Sequence, residues 1–369
     1  MTNLSEIRRR AHAQYLIPKT SGGLPAVAAT RSFSRRFISV LGGLILLYLL
    51  FAIVVDPRRD FGTGIFPVVS LDSRGDKMRL FDQYNQRKAV EGIVVGSSRS
   101  MMLGCDELDA KTRWRWFNFS VDSARAEDYL AIYRWAKSKD SRITALVVGL
   151  DVEALHDRID FDGRLKANPG LMGALGGGKP SAYRKTTDFL AMMKTVFSRY
   201  YLHDEFRSLL VALRPRPAFS AFGEDGVLRY VQWDGERAAG RFDLQKNIKE
   251  SREEYVRRLD HMQGLSAKRK NQIESLVKEA QRDKVQVVLW ITPVHPEVAK
   301  FLARETAYVT RLEETRSFVE QLRTEFTIPV FDLSNSAAFD GTDSGWYDGG
   351  HIDQENAERV INRLVTALR

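Results

Sequence analysis

The chain has 369 residues, 44% hydrophobic and 28% charged, a balance that supports a packed core and excludes a collagen-like fibre or a chain disordered throughout. Its single cysteine, Cys105, excludes an internal disulfide and a zinc ribbon. The net charge of +9 is concentrated in residues 1–36, which hold seven basic residues and one acidic residue. The rest of the chain is nearly balanced, which argues against a nucleic-acid partner.

An uncharged run of nineteen residues, Phe37–Val55, follows this basic tail. As a helix it would span roughly the 30 Å hydrocarbon core of a bilayer, so it predicts one transmembrane helix. A cleaved signal peptide and a buried core helix are the alternatives, but Asp56-Pro57-Arg58-Arg59 follows in place of a small-residue cleavage site. The basic residues before the helix predict a cytoplasmic N-terminus and a body outside the inner membrane.

Downstream of a polar stalk at 56–88, the body at 89–369 alternates short apolar runs with helical patterns. The strand candidates are Gly92–Gly96, Trp116–Phe119, Ile143–Leu150, Val285–Ile291 and Ile328–Leu333. Helical patterns cover Ala126–Lys139, Leu265–Asp283, Val298–Glu325 and Asp353–Leu368. Alternating strands and helices predict a parallel α/β sandwich that binds ligands at the carboxyl ends of its strands.

The alternation is interrupted at about 156–261, where we expect a cap inserted into the α/β core. The insertion contains a glycine-rich loop at 170–178, an amphipathic helix at Asp188–Leu213 and a β-rich patch at Val227–Trp233. A second small domain with its own core is the alternative. The aromatic residues of the insertion suggest platforms for sugar rings, although core packing of an amphipathic helix is the more common explanation for such residues: Tyr200, Tyr201, Phe206 and Trp233.

A serine motif and a histidine motif lie at opposite ends of the body. Gly96-Ser97-Ser98-Arg99-Ser100 follows the first strand, where the N–H groups of a helix start can stabilise a developing oxyanion. Tyr347-Asp348-Gly349-Gly350-His351 precedes the last helix. An aspartate three residues before a histidine can orient the imidazole as a base for a serine that the fold brings close. Each motif alone is also explained as a cap or a turn.

Together these motifs resemble those of the SGNH, or GDSL-type, hydrolases and acyltransferases, over about residues 90–155 and 284–369. The resemblance implies an SGNH-like three-layer sandwich with Ser98 as nucleophile, Asp348 as orienting acid and His351 as base. Asn118-Phe119-Ser120-Val121-Asp122-Ser123 resembles the second block, whose last glycine, an oxyanion-hole donor, corresponds to Ser123. Gly149-Leu150-Asp151-Val152 resembles the third block, with Asp151 in place of its asparagine.

Two departures from the family pattern bear on the chemistry. Ser97 replaces the aspartate of the Gly-Asp-Ser motif, which costs little in mechanism. Asp151 matters more, because an ionised carboxylate repels an oxyanion and has no hydrogen to donate to it. The oxyanion hole then depends on backbone N–H groups near Arg99 and Ser123, or the protein is inactive.

Within the superfamily, the single anchor and the Gly-Ser-Ser-Arg variant are most similar to proteins of bacterial exopolysaccharide and cell-wall acylation, including alginate O-acetylation and D-alanyl-lipoteichoic acid proteins. This implies O-acylation, as O-acetylation, of a cell-surface or exported polysaccharide through an acyl-serine, with a multi-span membrane-bound O-acyltransferase as partner. A carbohydrate esterase and an inactive polymer-binding scaffold are the alternatives.

Neither a cofactor nor a metal is expected. Pro180 stands where a phosphate-binding loop at Gly173–Pro180 would need Ser or Thr, and the histidines lack zinc-ligand spacing. His295 follows the fourth strand candidate, where it could contact substrate or serve a structural role.

Overall fold

The computed structural model describes residues 23–58, 61–63, 65–67, 69, 73–139, 142–176, 192–194, 196–214 and 219–368, with the backbone alone for 23–33 and 200. The start of the basic tail, the end of the glycine-rich loop with Pro180, the start of the helix expected at Asp188–Leu213 and the Tyr200 side chain lie outside this description. Helix α1 (Gly23–Val55) contains the predicted apolar run, and Ser34–Val55 is long and apolar enough to cross a membrane.

A central sheet of five parallel strands has the order β2-β1-β3-β6-β7. These strands are β1 (Gly92–Val95), β2 (Trp116–Asn118), β3 (Ala145–Leu150), β6 (Gln286–Ile291) and β7 (Val330–Asp332). A separate antiparallel hairpin consists of β4 (Ala221–Phe222) and β5 (Leu228–Arg229). The five predicted strands and the parallel α/β class are confirmed.

Helices cover both faces of the sheet. The described helices after α1 are α2 (Ser73–Lys88), α3 (Cys105–Lys111), α4 (Ala126–Lys137), α5 (Gly163–Lys166), α6 (Pro169–Leu175), α7 (Arg199–Leu213), α8 (Val231–Ala238), α9 (Leu244–Leu259), α10 (Ala267–Arg282), α11 (Pro296–Glu305), α12 (Tyr308–Phe326) and α13 (Gln354–Leu364). Alternate β3 side chains enter two cores, because successive strand residues point to opposite faces. Leu146 and Val148 pack with α4 and α10, whereas Val147 packs on the face covered by α3 and α13.

Helix α2 differs from the polar stalk expected at 56–88, because it packs against the α/β body. Its Arg74 side chain forms a fully buried ion pair with Asp128 at 2.7 Å. The buried Lys77 Nζ donates to the Asn118 carbonyl at 3.0 Å, and burial lowers the pKa of Lys77 to about 7. Phe81 lies in the main core. Buried charges satisfied by fixed partners therefore give this segment a polar composition without making it a surface stalk.

Two local predictions are wrong in detail. The helix predicted at Val298–Glu325 is two helices, because Thr306, with an extended backbone at φ −142° and ψ 175°, ends α11 before α12 begins at Tyr308. In the patch predicted at Val227–Trp233, only β5 is extended and Trp233 lies in α8. Tyr230 and Trp233 contact each other at 4.6 Å, a three-residue spacing that suits a helical turn and would place them on opposite faces of a strand.

The segment expected as an inserted cap at 156–261 has parts with different contacts. Leu165 and Leu171, from α5 and α6, belong to the main core beside α4. Residues 196–214 contact α1, through a small cluster that contains Val196 and Tyr201. The hairpin, α8 and α9 pack beside the loop that carries His351. The described parts of this segment thus extend existing layers of the body and reach the anchor.

Candidate active site

Ser98 lies at the carboxyl end of β1, at the start of a short 3-10 turn, Ser98–Ser100. The Ser97 hydroxyl caps this turn by accepting from the Arg99 N–H at 3.2 Å. The turn packs closely on the neighbouring strand, since a Cβ atom built on Gly149 would lie 2.0 Å from the Ser100 hydroxyl. A glycine at that position of β3 therefore allows the serine turn to approach the sheet.

Asp348 and His351 lie in the tight loop before α13. One Asp348 oxygen, Oδ1, accepts from the Gly350 N–H at 2.7 Å and from the His351 N–H at 2.9 Å. The loop closes through the Tyr347 N–H, which donates to the His351 carbonyl at 2.8 Å. These bonds fix the carboxylate against its own loop, so the three-residue spacing seen in the sequence orients the imidazole.

The fold brings Ser98, His351 and Asp348 into one hydrogen-bonded line, although Ser98 and His351 are 253 residues apart. The His351 Nε2 to Ser98 Oγ distance is 2.8 Å, and Nδ1 lies 2.9 and 2.8 Å from the two Asp348 oxygens. Because an ionised carboxylate only accepts, Nδ1 carries the proton and Nε2 is free to accept the Ser98 proton. This is the geometry of a serine nucleophile with its base and orienting acid.

Asp348 is held in its ionised form. Burial raises the pKa of its carboxyl, but electrostatic attraction to the His351 imidazole, the hydrogen bond to that ring and the two backbone N–H groups outweigh burial and lower the pKa below its ordinary value. The Ser98 residue is 7% exposed, so water has limited access to its hydroxyl. A shielded site with a fixed carboxylate suits proton transfer through His351.

Helix α9 supports this loop from outside the regions that resemble the superfamily. The Ser251 hydroxyl accepts from the Gly349 N–H at 3.0 Å, and Asn247 Nδ2 donates to the Tyr347 carbonyl at 3.0 Å. A Cβ built on Gly350 would lie 1.6 Å from the Tyr255 hydroxyl. The sequence does not predict these positioning residues, because no motif spacing connects α9 with the histidine loop.

An aromatic cluster borders His351. Tyr230 lies 5.8 Å from the imidazole, and its ring contacts Tyr347 at 4.9 Å. Trp233 stacks on Tyr347 at 5.7 Å and 18°. Of the suggested sugar platforms, Trp233 is the one whose described side chain reaches the site, whereas Tyr201 is buried and Phe206 is exposed in α7 beside the anchor.

Arg99 and Asp151 form a buried charged network next to Ser98. Arg99 Nη1 lies 3.9 Å from Asp151 Oδ1, and Nη2 lies 2.5 Å from Glu153 Oε1. Asp151 Oδ1 also accepts from the Thr292 hydroxyl at 2.5 Å. The Arg99 guanidinium stacks 4.8 Å from the Tyr255 ring, which links this network to α9. Asp151 therefore pairs with a cation and a hydroxyl at the strand ends.

Ser123 has a backbone that favours glycine, with φ of 49°. Within the described chain, its N–H donates to no other residue, while the Arg99 N–H is bonded to Ser97. Of the two N–H positions expected at the oxyanion hole, Ser123 is thus the available one. The Asn118 amide instead donates to the Ser100 and Leu103 carbonyls at 2.8 and 3.0 Å and fixes the serine turn.

Two cavities flank these groups. One, of about 90 Å³, is lined by Ser123 and Asp151 together with Glu153 and Arg258. The other, of about 370 Å³, extends from Tyr347 to the hairpin and α13 and is lined by Asp234 and several further carboxylates. His295 is structural: its Nδ1 caps α11 by accepting from the Glu297 N–H at 3.2 Å, and Nε2 is 3.2 Å from the Asp343 carbonyl.

Comparison with known proteins leaves the family open. Neither a protein-family model nor a curated protein matches the chain. Function is therefore inferred from the geometry of this site.

Proposed function

We propose that this protein is a membrane-anchored, SGNH-like serine acyltransferase that O-acylates, as O-acetylation, a cell-surface or exported polysaccharide. The observation that carries the proposal is the line from Ser98 Oγ through His351 to the Asp348 carboxylate. Its position at the carboxyl end of β1, in a five-stranded parallel sheet, agrees with the SGNH resemblance. The family assignment and the substrate class belong to this proposal.

In the proposed reaction, Ser98 Oγ attacks the carbonyl carbon of an acyl donor while His351 Nε2 takes the serine proton. The developing oxyanion is stabilised by the Ser123 N–H. Collapse of the intermediate breaks the donor's acyl–leaving group bond, and the leaving group receives the proton from His351. A sugar hydroxyl then gives its proton to His351 and attacks the acyl-serine. His351 returns that proton to Ser98 Oγ as the acyl–serine bond breaks, which releases the O-acylated sugar.

The surroundings of His351 support a sugar acceptor. Trp233 and Tyr347 offer aromatic rings, and the larger cavity presents carboxylates such as Asp234, which accept hydrogen bonds from sugar hydroxyls. A multi-span membrane-bound O-acyltransferase is the proposed source of acyl groups, in keeping with the acylation systems that the motifs resemble. Shielding of Ser98 favours transfer over hydrolysis, because water competes with the acceptor for the acyl-serine.

Asp151 supports a second candidate, an inactive polymer-binding scaffold. Its carboxylate lines the same small cavity as Ser123, where the superfamily has an oxyanion-hole asparagine. A negative charge there opposes an oxyanion, although Arg99 at 3.9 Å partly neutralises it. The two candidates differ in whether Ser98 becomes acylated.

The deciding experiment incubates the full chain, in detergent or nanodiscs, with p-nitrophenyl acetate and follows its intact mass. The expected result is a gain of one acetyl group that is absent from Ser98→Ala and present in Ser317→Ala, a control that removes an exposed hydroxyl of α12. A folded protein without the adduct would support the scaffold. An adduct that water removes as fast in the presence as in the absence of a glycan acceptor would support a carbohydrate esterase.

We further propose that α1 anchors the protein in a bacterial inner membrane with the N-terminus in the cytoplasm and the body in the periplasm. The basic residues that precede the apolar segment support this orientation. A reporter that is active in the periplasm, fused after Arg369, should be active. Activity from a cytoplasmic reporter at the same position would contradict the orientation.

A further inference from the structure

Helix α7 has a buried side and an exposed apolar side. One side is buried, with Tyr201, Glu205 and Ser208 fully covered. The opposite side exposes four large apolar side chains, between 39% and 79% of their surface: Leu202, Phe206, Leu210 and Leu213. At 3.6 residues per turn, these four lie within about 80° of arc. The exposed His203, Arg207 and Arg214 follow on one flank of that stripe.

Both the chain just before α7 and the first turns of α7 contact the C-terminal part of the membrane-spanning candidate or the residues that follow it. The Tyr48 hydroxyl of α1 donates to the Val196 carbonyl at 2.6 Å, and Tyr48 contacts the Phe197 ring at 5.2 Å. Arg58, just beyond α1, forms a 2.7 Å ion pair with Asp204. The Arg58–Asp204 ion pair and the cluster of Ala52 with Val196 and Tyr201 hold the first turns of α7 against the anchor.

The contact at Tyr48 determines how far below the end of α1 the chain at 196–197 lies. Tyr48 lies seven residues before Val55, the last residue of α1, which corresponds to roughly 10 Å along a helix axis. If Ser34–Val55 is embedded in a bilayer, the chain at 196–197 is below the membrane surface. Amphipathic helices at interfaces bury their apolar face by roughly 5–10 Å, a depth that matches this contact.

We propose that α7 is a second membrane-binding element, which lies at the bilayer surface beside α1 with its Leu202, Phe206, Leu210 and Leu213 stripe in the acyl-chain region. Arg207 and Arg214 are then placed at the level of the lipid headgroups, where a basic side chain is favourable. Together with α1, the helix holds the α/β body close to the membrane. This proposal depends on α1 being embedded and is independent of the chemistry at Ser98.

The test uses nitroxide spin labels on the full chain in liposomes, in a Cys105→Ala background. The labelled variants are Leu210→Cys, Leu46→Cys in α1 as the lipid reference, and Lys249→Cys on the exposed side of α9 as the water reference. We expect oxygen to relax the label at 210 more strongly than a water-soluble nickel chelate does. The label at 46 should show the same pattern, and the label at 249 the opposite one. Near-UV circular dichroism of each variant checks that the body is folded.

Three outcomes would overturn the proposal. A label at 210 with the relaxation pattern of 249 would place the stripe in water. Protection from both relaxing agents would show that protein covers the stripe. Dipolar broadening between labels would identify that cover as a second copy of this chain. A label at 46 with the pattern of 249 would remove the embedded anchor on which the inference depends, while the acylation test of Ser98 would be unaffected.

Discussion

Asp348 and Asp151 are two aspartates of the candidate site with different partners, the first half-buried and the second buried. Asp348 is bound by an imidazole and two backbone N–H groups, whereas Asp151 is bound by the Thr292 hydroxyl and lies 3.9 Å from the Arg99 guanidinium. The charge of Asp348 therefore acts on the base that faces Ser98. The charge of Asp151 is partly neutralised by an arginine, so in the proposed reaction Asp348 acts on the base while Asp151 belongs to a charged network at the strand ends.

Asp348→Asn is expected to have the largest effect, and it tests the role of Asp348 separately from that of Asp151. An amide at this position removes the anion that selects the Nδ1–H tautomer, so we expect the rate of acyl-enzyme formation to fall on the order of 10⁴-fold with little change in folding. The rate is measured by intact mass under single-turnover conditions. A loss of less than tenfold would mean that His351 is oriented without the carboxylate.

The same substitution changes the acid stability of the protein. Because the folded-state pKa of Asp348 is lowered, its stabilisation is fully present above the unfolded value near pH 4 and is lost as pH falls through the lower folded-state pKa. Below about pH 4, the free energy of unfolding of Asp348→Asn should therefore fall less steeply than that of the native chain. Urea unfolding at a series of acid pH values gives both slopes, and equal slopes would contradict this role.

Arg99→Met should destabilise the protein, because it removes the cation of the charged network. Removal of this guanidinium leaves the buried Asp151 carboxylate without its cation and Glu153 without its 2.5 Å partner. We expect the free energy of unfolding to fall by about 3–5 kcal/mol. The control is Arg258→Met, which removes a neighbouring cation that lies 5.1 Å from the Tyr255 ring and is three residues after Tyr255 in α9. An equal effect in both variants would indicate lost packing on Tyr255 as the cause.

Asp151→Asn sharpens the comparison by keeping the shape of the side chain. The amide oxygen still accepts from Thr292, while the charge that opposes an oxyanion disappears and an N–H donor is gained. We expect acyl-enzyme formation to become on the order of 10–100-fold faster, since one oxyanion donor contributes up to that scale or more. Glu153→Gln, which also removes a negative charge next to Arg99, is the matched control. A slower Asp151→Asn variant would show that the carboxylate is needed to position Arg99.

The sequence was informative where periodicity and motifs carry the signal. Alternating apolar runs located the five strands, and the motifs at Ser98 and His351 located the groups that meet at 2.8 Å. It failed where burial depends on partners distant in the chain. Arg74 and Lys77 made α2 resemble a stalk, because their buried partners Asp128 and Asn118 are more than forty residues away. The role of α9 against the histidine loop has the same origin.

The smallest expected effect concerns Ser123, whose backbone, at φ of 49°, is strained for any side chain with a Cβ. Ser123→Gly removes that strain at some cost in chain entropy, so we expect the free energy of unfolding to rise by roughly 0.5–1 kcal/mol. Acyl-enzyme formation should be unchanged, because the N–H is retained. Lys284→Gly, an exposed residue at φ of 58°, is the matched control for the backbone effect. If Ser123→Gly and Ser123→Ala both slow acylation while Lys284→Gly does not, the Ser123 hydroxyl contributes to the site, and the oxyanion hole of this protein then uses a side chain that a glycine lacks.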